Sequence, residues 1–335
     1  MRNRRIIAIA ATFIGIAIVA IGTFLFIEWK NRRPVISQME GADTEAQTSD
    51  QSPGAGELCL YGDVYGYNNE IQNILFMGID KQAEMVSEAY AGHGGQADCI
   101  LLLSLNTRTK EAFVLNISRD CMTNIDIYGI SGDYIGTEKH QLALQYAYGD
   151  GERRSCWLMK KAVSNLLYDL PIHGYISLNL SGFSVINDVL GGVELTIPED
   201  YTFIDPAFSE GVTLRLTGSQ AERYVRYRNI EELGSNNGRM ERQNQFLKAL
   251  VELLKEKTAS NPDFVDVLYK AGKSYVATDL SVDEMKALSE YRLDDGYIKV
   301  PGETQAGENH DEYVVDEDGL IRLVADMYYT KKERQ

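Results

Sequence analysis

The chain has 335 residues, a formal net charge of -16 and a pI near 4.8, which excludes a nucleic-acid binder built on a broad basic field. Hydrophobic residues at 44% and charged residues at 24% are ordinary for a globular protein, and the length provides for one large domain or two small ones with an ample core.

Residues 6–27 form an uncharged apolar run of 22, long enough at about 1.5 Å per residue to cross a hydrocarbon layer of roughly 30 Å. A cleaved leader would have a shorter apolar core and a small-residue cleavage site, so an uncleaved transmembrane signal-anchor is expected. Arg2, Arg4 and Arg5 precede it and Lys30, Arg32 and Arg33 follow; the N-terminal amine tips residues 1–5 only slightly toward the cytoplasm. Residues 28–59 read as a flexible linker, polar and rich in small residues without periodicity. A single domain is expected over 60–330, with no internal repeat.

Asn73–Asp80 is a short apolar run of strand type ending in an acid. A Gly-rich loop leads to a second strand at Asp98–Leu105, a turn at 106–110, and a third strand at Glu111–Ile117 that runs into Ser118, Arg119 and Asp120. Acids and an Arg-Asp pair at strand ends mark where sites collect in α/β sheets. Helices are expected around Gln141–Tyr148 and Ser155–Tyr168, a strand at Tyr175–Asn179, a helix opening at Ser181 or Gly182, and a break at Gly191 and Gly192 before a strand at Val193–Ile197. Thr217 is the expected N-cap of a helix from Gly218 toward Arg226. Arg239–Lys257 is amphipathic, and further helices, one begun by a capping box at Ser281 and Glu284, a strand near 297–300 and a helix at 316–328 complete the chain.

Residues 223–243 hold five of the eighteen arginines and no lysine. A guanidinium can hold two oxygens of one phosphate, so such a cluster on an acidic chain reads as a polyanion pocket. Arg226 and Arg228 alternate with tyrosines, and Arg239, Arg242 and Gln243 share a face of a helix expected to begin after Gly238. The competing reading is a solvated helix salt-bridged to Glu222, Glu231, Glu232 and Glu241, and Arg223 and Arg242 are assigned to such pairs. Cys59, Cys99, Cys121 and Cys156 are core residues or disulfide partners. The four histidines show no metal spacing.

In order, Gly78-Ile-Asp80, Asp98, Ile117-Ser-Arg-Asp120, Tyr146-Ala-Tyr-Gly149, Gly182-Phe, Asp188-Val-Leu-Gly-Gly-Val193, Leu216-Thr-Gly-Ser-Gln-Ala221, Tyr224-Val-Arg-Tyr-Arg228 and Gly238-Arg-Met-Glu-Arg-Gln243 resemble the LytR-CpsA-Psr family of membrane-anchored cell-wall phosphotransferases. The resemblance implies a single extracytoplasmic α/β/α domain with a mixed central sheet, in a Gram-positive type of envelope. It implies transfer of a phosphate-linked glycopolymer, of teichoic acid or capsule type, from a polyprenyl-pyrophosphate carrier to peptidoglycan. By the same resemblance Asp80 and Asp98 would bind magnesium and, with Arg119, form the catalytic set. Arg119, Arg226, Arg228 and Arg239 would hold the pyrophosphate with Gln243 beside them, and Asp120 would either join them or orient Arg119. Gln96 stands where many members have Arg, Asn236 where Asp is usual, Ser118 where Pro is usual, and Gln141 and Ala143 replace Lys and Asn. Those departures keep two alternatives open: a hydrolase at the same site, and a non-catalytic lipid-glycan binder or envelope attenuator.

Overall fold

The computed structural model describes residues 57–332 apart from 61, 62, 89, 90, 230, 262, 295 and 309. The expected anchor and the linker up to residue 56 lie outside the described residues. No helix among the described residues is long and apolar enough to cross a membrane.

The first described strand, β1 (Glu57–Leu60), forms a hairpin with β2 (Asp63–Tyr67). Strands β3 (Ile71–Ile79), β4 (Ala97–Asn106) and β5 (Glu111–Ile117) follow as an antiparallel meander. The turn between β4 and β5 is closed by the Asn106 side chain, which accepts the N–H groups of Arg108 and Thr109 at 3.0 and 2.9 Å. A long hairpin, β6 (Met122–Tyr128) and β7 (Tyr134–Gln141), leads into α1 (Leu144–Ala147) and α2 (Arg153–Leu166). These form the crossover that β8 (Gly174–Asn179) needs to lie parallel to β3. Then come α3 (Leu180–Leu190), the hairpin β9 (Val193–Thr196) and β10 (Thr213–Leu216), α4 (Gly218–Arg226), α5 (Ser235–Ser260), α6 (Phe264–Gly272), β11 (Val276–Thr278) and α7 (Val282–Ala287). Two short strands, β12 (Arg292–Leu293) and β13 (Ile298–Lys299), both pair with β5, and the chain finishes with the hairpin β14 (Gly302–Ala306) and β15 (Asp311–Val315), α8 (Glu317–Tyr328) and β16 (Tyr329–Lys331) on β2.

The central sheet is mixed, in the order β11-β8-β3-β4-β5-β12 with β13 also on β5. Period-two alternation sorts its residues onto two buried faces, so the middle strands read as continuous apolar runs. Ile74, Phe76, Leu101 and Leu103 pack with Ile186, Leu190, Phe246 and Leu250 of α3 and α5. Leu75, Met77, Ile100 and Leu102 pack with Met159 and Val163 of α2 and with Leu320 and Val324 of α8. The result is the expected α/β/α sandwich.

Several elements differ from the sequence expectations. Gly234 adopts φ 75°, turning the chain so that α5 starts at Ser235, before Gly238. Arg226 is the last residue of α4, the helix expected from Gly218 toward it. The helix expected at 141–148 shrinks to four residues because Gln141 is taken into β7. The Gly191-Gly192 break is as expected: Gly191 ends α3 at φ 89°, and a Cβ on Gly192 would lie 2.6 Å from the Leu216 carbonyl oxygen. Thr217 caps α4 in a capping box with Gln220. All four cysteines are free.

Candidate active site

A bulge between Gly78 and Ile79 ends the regular β3–β4 pairing and turns Asp98 toward the α3/α5 side of the sheet, where it lines a cavity. Its Oδ1 accepts a hydrogen bond from Arg119 Nη1, and its Oδ2 accepts one from Arg239 Nη1 at 3.3 Å. One carboxylate therefore sits between two guanidiniums that come from the end of β5 and the first turns of α5. Arg119 Nη2 also donates to Gln96 Oε1 at 2.6 Å. Asp80, at the end of β3, accepts the Gln96 backbone N–H at 2.6 Å, so the two acids are linked through Gln96 and Arg119. The adjoining Gly95 has φ 85°, and a Cβ there would lie 2.8 Å from Asp80 Oδ1.

Arg239 is only 3% exposed. Its Nε and Nη2 both donate to Asn236 Oδ1, at 3.1 and 2.7 Å, and Asn236 in turn donates to Ser118 Oγ at 2.9 Å. Burial lowers the Arg239 pKa, partly opposed by the Asp98 charge. Asp120 is 2% exposed and accepts from Gln141 Nε2 at 2.9 Å and Arg228 Nη1 at 3.3 Å, with Arg119 Nε at 3.4 Å. Burial pushes the Asp120 carboxyl up, and Arg119, Arg228 and Arg239 pull it back. Arg228 also faces Asp311 of β15 at 4.0 Å, and the buried Nε atoms of Arg119 and Arg228 have no hydrogen-bond partner. Asp120 thus holds Arg119 and Arg228 from behind.

Two cavities meet here. An apolar one is walled by Phe76, Leu101, Leu178, Phe183, Phe246 and Leu250 and closed at one end by Asp80, Asp98, Arg226, Arg239 and Gln243. A polar one is lined by Asp98, Arg119, Asp120, Arg226, Arg228, Arg239 and His310, among others. Asp98, Arg226 and Arg239 line both. The arrangement suits an amphiphile with an apolar tail on one side, a polar group on the other and an anionic junction between.

All seven residues named from the sequence line one or other of these cavities. Arg226 is the loosest, with a side chain 49% exposed and 3.5 Å from Glu222. Gln243 Nε2 donates to the Val225 carbonyl at 3.1 Å and so braces α4 against α5. Arg223 bonds Asp205, and Arg242 donates to the carbonyls of Tyr224 and Tyr227; neither pairs with the neighbouring glutamates assigned to it. Sequence reasoning missed Asp311 and His310, which the β14–β15 hairpin brings in from far along the chain. It also left the apolar wall unplaced, although the alternation of Ile74, Phe76 and Gly78 already marked one face of β3.

For a metal, the donor set is two carboxylates, with no group of three or more His, Cys, Asp or Glu among the described residues. Asp80 and Asp98 offer the hard oxygens that magnesium takes, with phosphate and water completing an octahedron. Both Asp98 oxygens accept from guanidiniums in this structure, so an ion there would displace one of the contacts from Arg119 or Arg239.

A family model described as the LytR_cpsA_psr family matches residues 35–327. A protein of Halalkalibacterium halodurans named polyisoprenyl-teichoic acid–peptidoglycan teichoic acid transferase TagU is 30% identical over 221 residues, 66% of this chain and 65% of the relative. The TagU of Enterococcus faecalis is 28% identical over 69% of each chain. TagV of Bacillus subtilis is 27% identical over 65% of this chain and 52% of its own, so the chain spans between about half and two thirds of these relatives. Among solved structures, Bacillus subtilis TagV superposes with a TM-score of 0.57 at 21% identity, covering 77% of this chain and 97% of that one. TagT bound to LI-WTA superposes at 0.57 with 20% identity, covering 77% and 89%. These structures share the mixed-sheet α/β fold.

Proposed function

Because this chain belongs to the LytR_cpsA_psr family, we propose that it is a transferase that moves a phosphate-linked glycopolymer of teichoic acid type from a polyprenyl-pyrophosphate carrier to peptidoglycan. The names of the curated relatives support this reading. The observation that carries it is the meeting of the apolar and polar cavities at Asp98, Arg226 and Arg239. A prenyl chain would lie in the first, the glycan at the mouth of the second, and the pyrophosphate at the junction.

In the reaction an acceptor hydroxyl oxygen bonds to the glycan-bearing phosphorus, the bond from that phosphorus to the bridging oxygen breaks, polyprenyl phosphate leaves with the electron pair, and the hydroxyl proton passes to solvent or to that departing phosphate. Such transfer needs charge neutralisation and in-line positioning more than a protein nucleophile. Arg119 and Arg239, braced by Gln96 and Asn236, supply fixed donors to the phosphoryl oxygens. Arg228, held by Asp120, faces the same cavity, and the exposed Arg226 can follow the leaving phosphate. Asp80 and Asp98 would hold magnesium, which when bound supplies positive charge against those oxygens. In this proposal residues 6–27 anchor the chain in the membrane, with the domain on the outer side where peptidoglycan lies.

The test is to incubate the full chain with a lipid-linked teichoic acid precursor and peptidoglycan, with and without magnesium, following attachment and phosphate release. Attachment that needs magnesium, and that falls at least about a hundredfold in Asp98→Asn with the fold intact, is the expected result. Phosphate release without attachment would make the protein a hydrolase, and lipid binding with neither product a carrier-binding protein.

A further inference from the structure

The tip of the β6–β7 hairpin lies about 20 Å along the strands from Gln141 at the polar cavity, by the usual rise per residue. It exposes an apolar surface that the site does not use. Ile130 is 74% exposed, Ile135 67% and Tyr134 59%, and Trp157 on the adjoining helix α2 is 55% exposed. The aromatic part of the tip is tied to α2. The Tyr128 and Tyr134 rings meet at 5.6 Å, the Arg154 guanidinium lies 4.5 Å from the Tyr128 ring, and Arg154 Nη2 donates to the Gly132 carbonyl at 2.9 Å. Trp157 shares the outward face of α2 with Arg153 and Arg154 one turn before it, while Lys160 and Lys161 one turn after pair with Asp279 at 3.4 Å and Asp126 at 2.6 Å. In a chain of net charge -16, α2 carries four cations and no acid.

We propose that this hairpin tip and the outward face of α2 are a membrane-contact surface that seats in the headgroup layer of a bilayer containing anionic lipid. Tryptophan and tyrosine favour that layer, arginine reaches anionic headgroups, and exposed isoleucines gain from burial at its acyl boundary. A glycan would stack on the aromatic rings but would leave Ile130 and Ile135 in water. The inference rests on the membrane-anchored reading given above. The expected anchor at residues 6–27 precedes β1 closely in the sequence, which would keep a weakly binding surface at high local concentration beside the bilayer. Docking would fix the orientation of the domain over the membrane, with the apolar cavity on the sheet face away from α2.

Trp29 and Trp157 are the two tryptophans, so the full chain with Trp29→Phe reports on Trp157 alone. It is reconstituted into vesicles of phosphatidylcholine with and without phosphatidylglycerol, carrying acyl chains brominated near the headgroup, and floated on a gradient. The expected result is flotation with quenching of Trp157 emission that is stronger with phosphatidylglycerol. Adding Ile130→Ser and Ile135→Ser, both at exposed positions, should cut the quenching at least about threefold while flotation and detergent-phase transfer activity are unchanged. A chain that floats with Trp157 unquenched in both lipids overturns the contact and leaves the anchor standing; one that does not float overturns both. Trp157 emission that responds to soluble peptidoglycan fragments and not to brominated lipid overturns it in favour of glycan docking.

Discussion

Arg239 stays charged at 3% exposure because its hydrogen-bonding nitrogens meet acceptors, two of them on one neutral oxygen of Asn236. A neutral partner holds the fork without cancelling the charge that the polar cavity needs. Asn236→Leu should therefore destabilise the fold by about 3 kcal/mol in denaturant titration, since it strands a buried guanidinium. Asn236→Asp, which keeps the acceptor, should fold normally. Cys99 lines the apolar cavity, and burial pushes its thiol up to about 12. At pH 8 its thiolate fraction would be on the order of one in ten thousand. Alkylation followed by mass spectrometry should then label the exposed Cys59 first and Cys99 well after it, with the fully buried Cys121 and Cys156 last. Read one residue at a time, Gln96 and Asn236 look like lost charges; their roles as arginine acceptors depend on contacts 23 and 3 positions away, the first of which no local pattern encodes.

The site is assembled where element ends converge. The ends of β3 and β5 and the start of β4 bring the acids and Arg119, the Thr217 capping box starts the helix that ends at Arg226, and the left-handed turn at Gly234 places Asn236 and Arg239 one turn apart on α5. The apolar cavity lies between the sheet and α3, α4 and α5. Leu180, half-buried at the start of α3, lines it. Leu180→Trp should fill part of that space and weaken binding of a long-chain prenyl pyrophosphate by roughly tenfold, as one poorly accommodated side chain does in an apolar pocket. Binding of inorganic pyrophosphate should be unaffected, and calorimetry with both ligands separates the two effects. Strands β3, β4, β5 and β8 and helices α2, α3, α4 and α8 were legible as apolar runs, periodicity and caps. The β6–β7 and β14–β15 hairpins were not. Strands β7 and β14 are largely solvent-facing and polar, β6 and β15 mix polar with apolar residues, and none carries a long apolar run, so pairing rather than composition makes them strands.

At the scale of the molecule, the sheet ties distant segments together, and His173 is one such tie. Its backbone N–H donates to the Asn73 carbonyl at 2.7 Å, and its Nδ1 accepts the Asn73 N–H at 3.0 Å. Burial is the first cause that lowers its pKa, with Lys160 adding to it. Because the folded pKa lies below the unfolded one, the contribution is complete above the unfolded value of about 6.5 and is lost as pH falls through it toward the folded pKa. Unfolding midpoints should drop between pH 7.5 and 5.5, and His173→Gln should flatten that part of the profile. The order of motifs along the chain determined the family resemblance, the α/β class and the identity of the charged residues, because apolar periodicity and charge are properties of short segments. Which arginine faces which acid, the neutral bracing of Arg119 and Arg239, the inward reach of Asp311 and the meeting of the two cavities were decided only by tertiary structure, since each depends on pairing between segments that the sequence holds far apart.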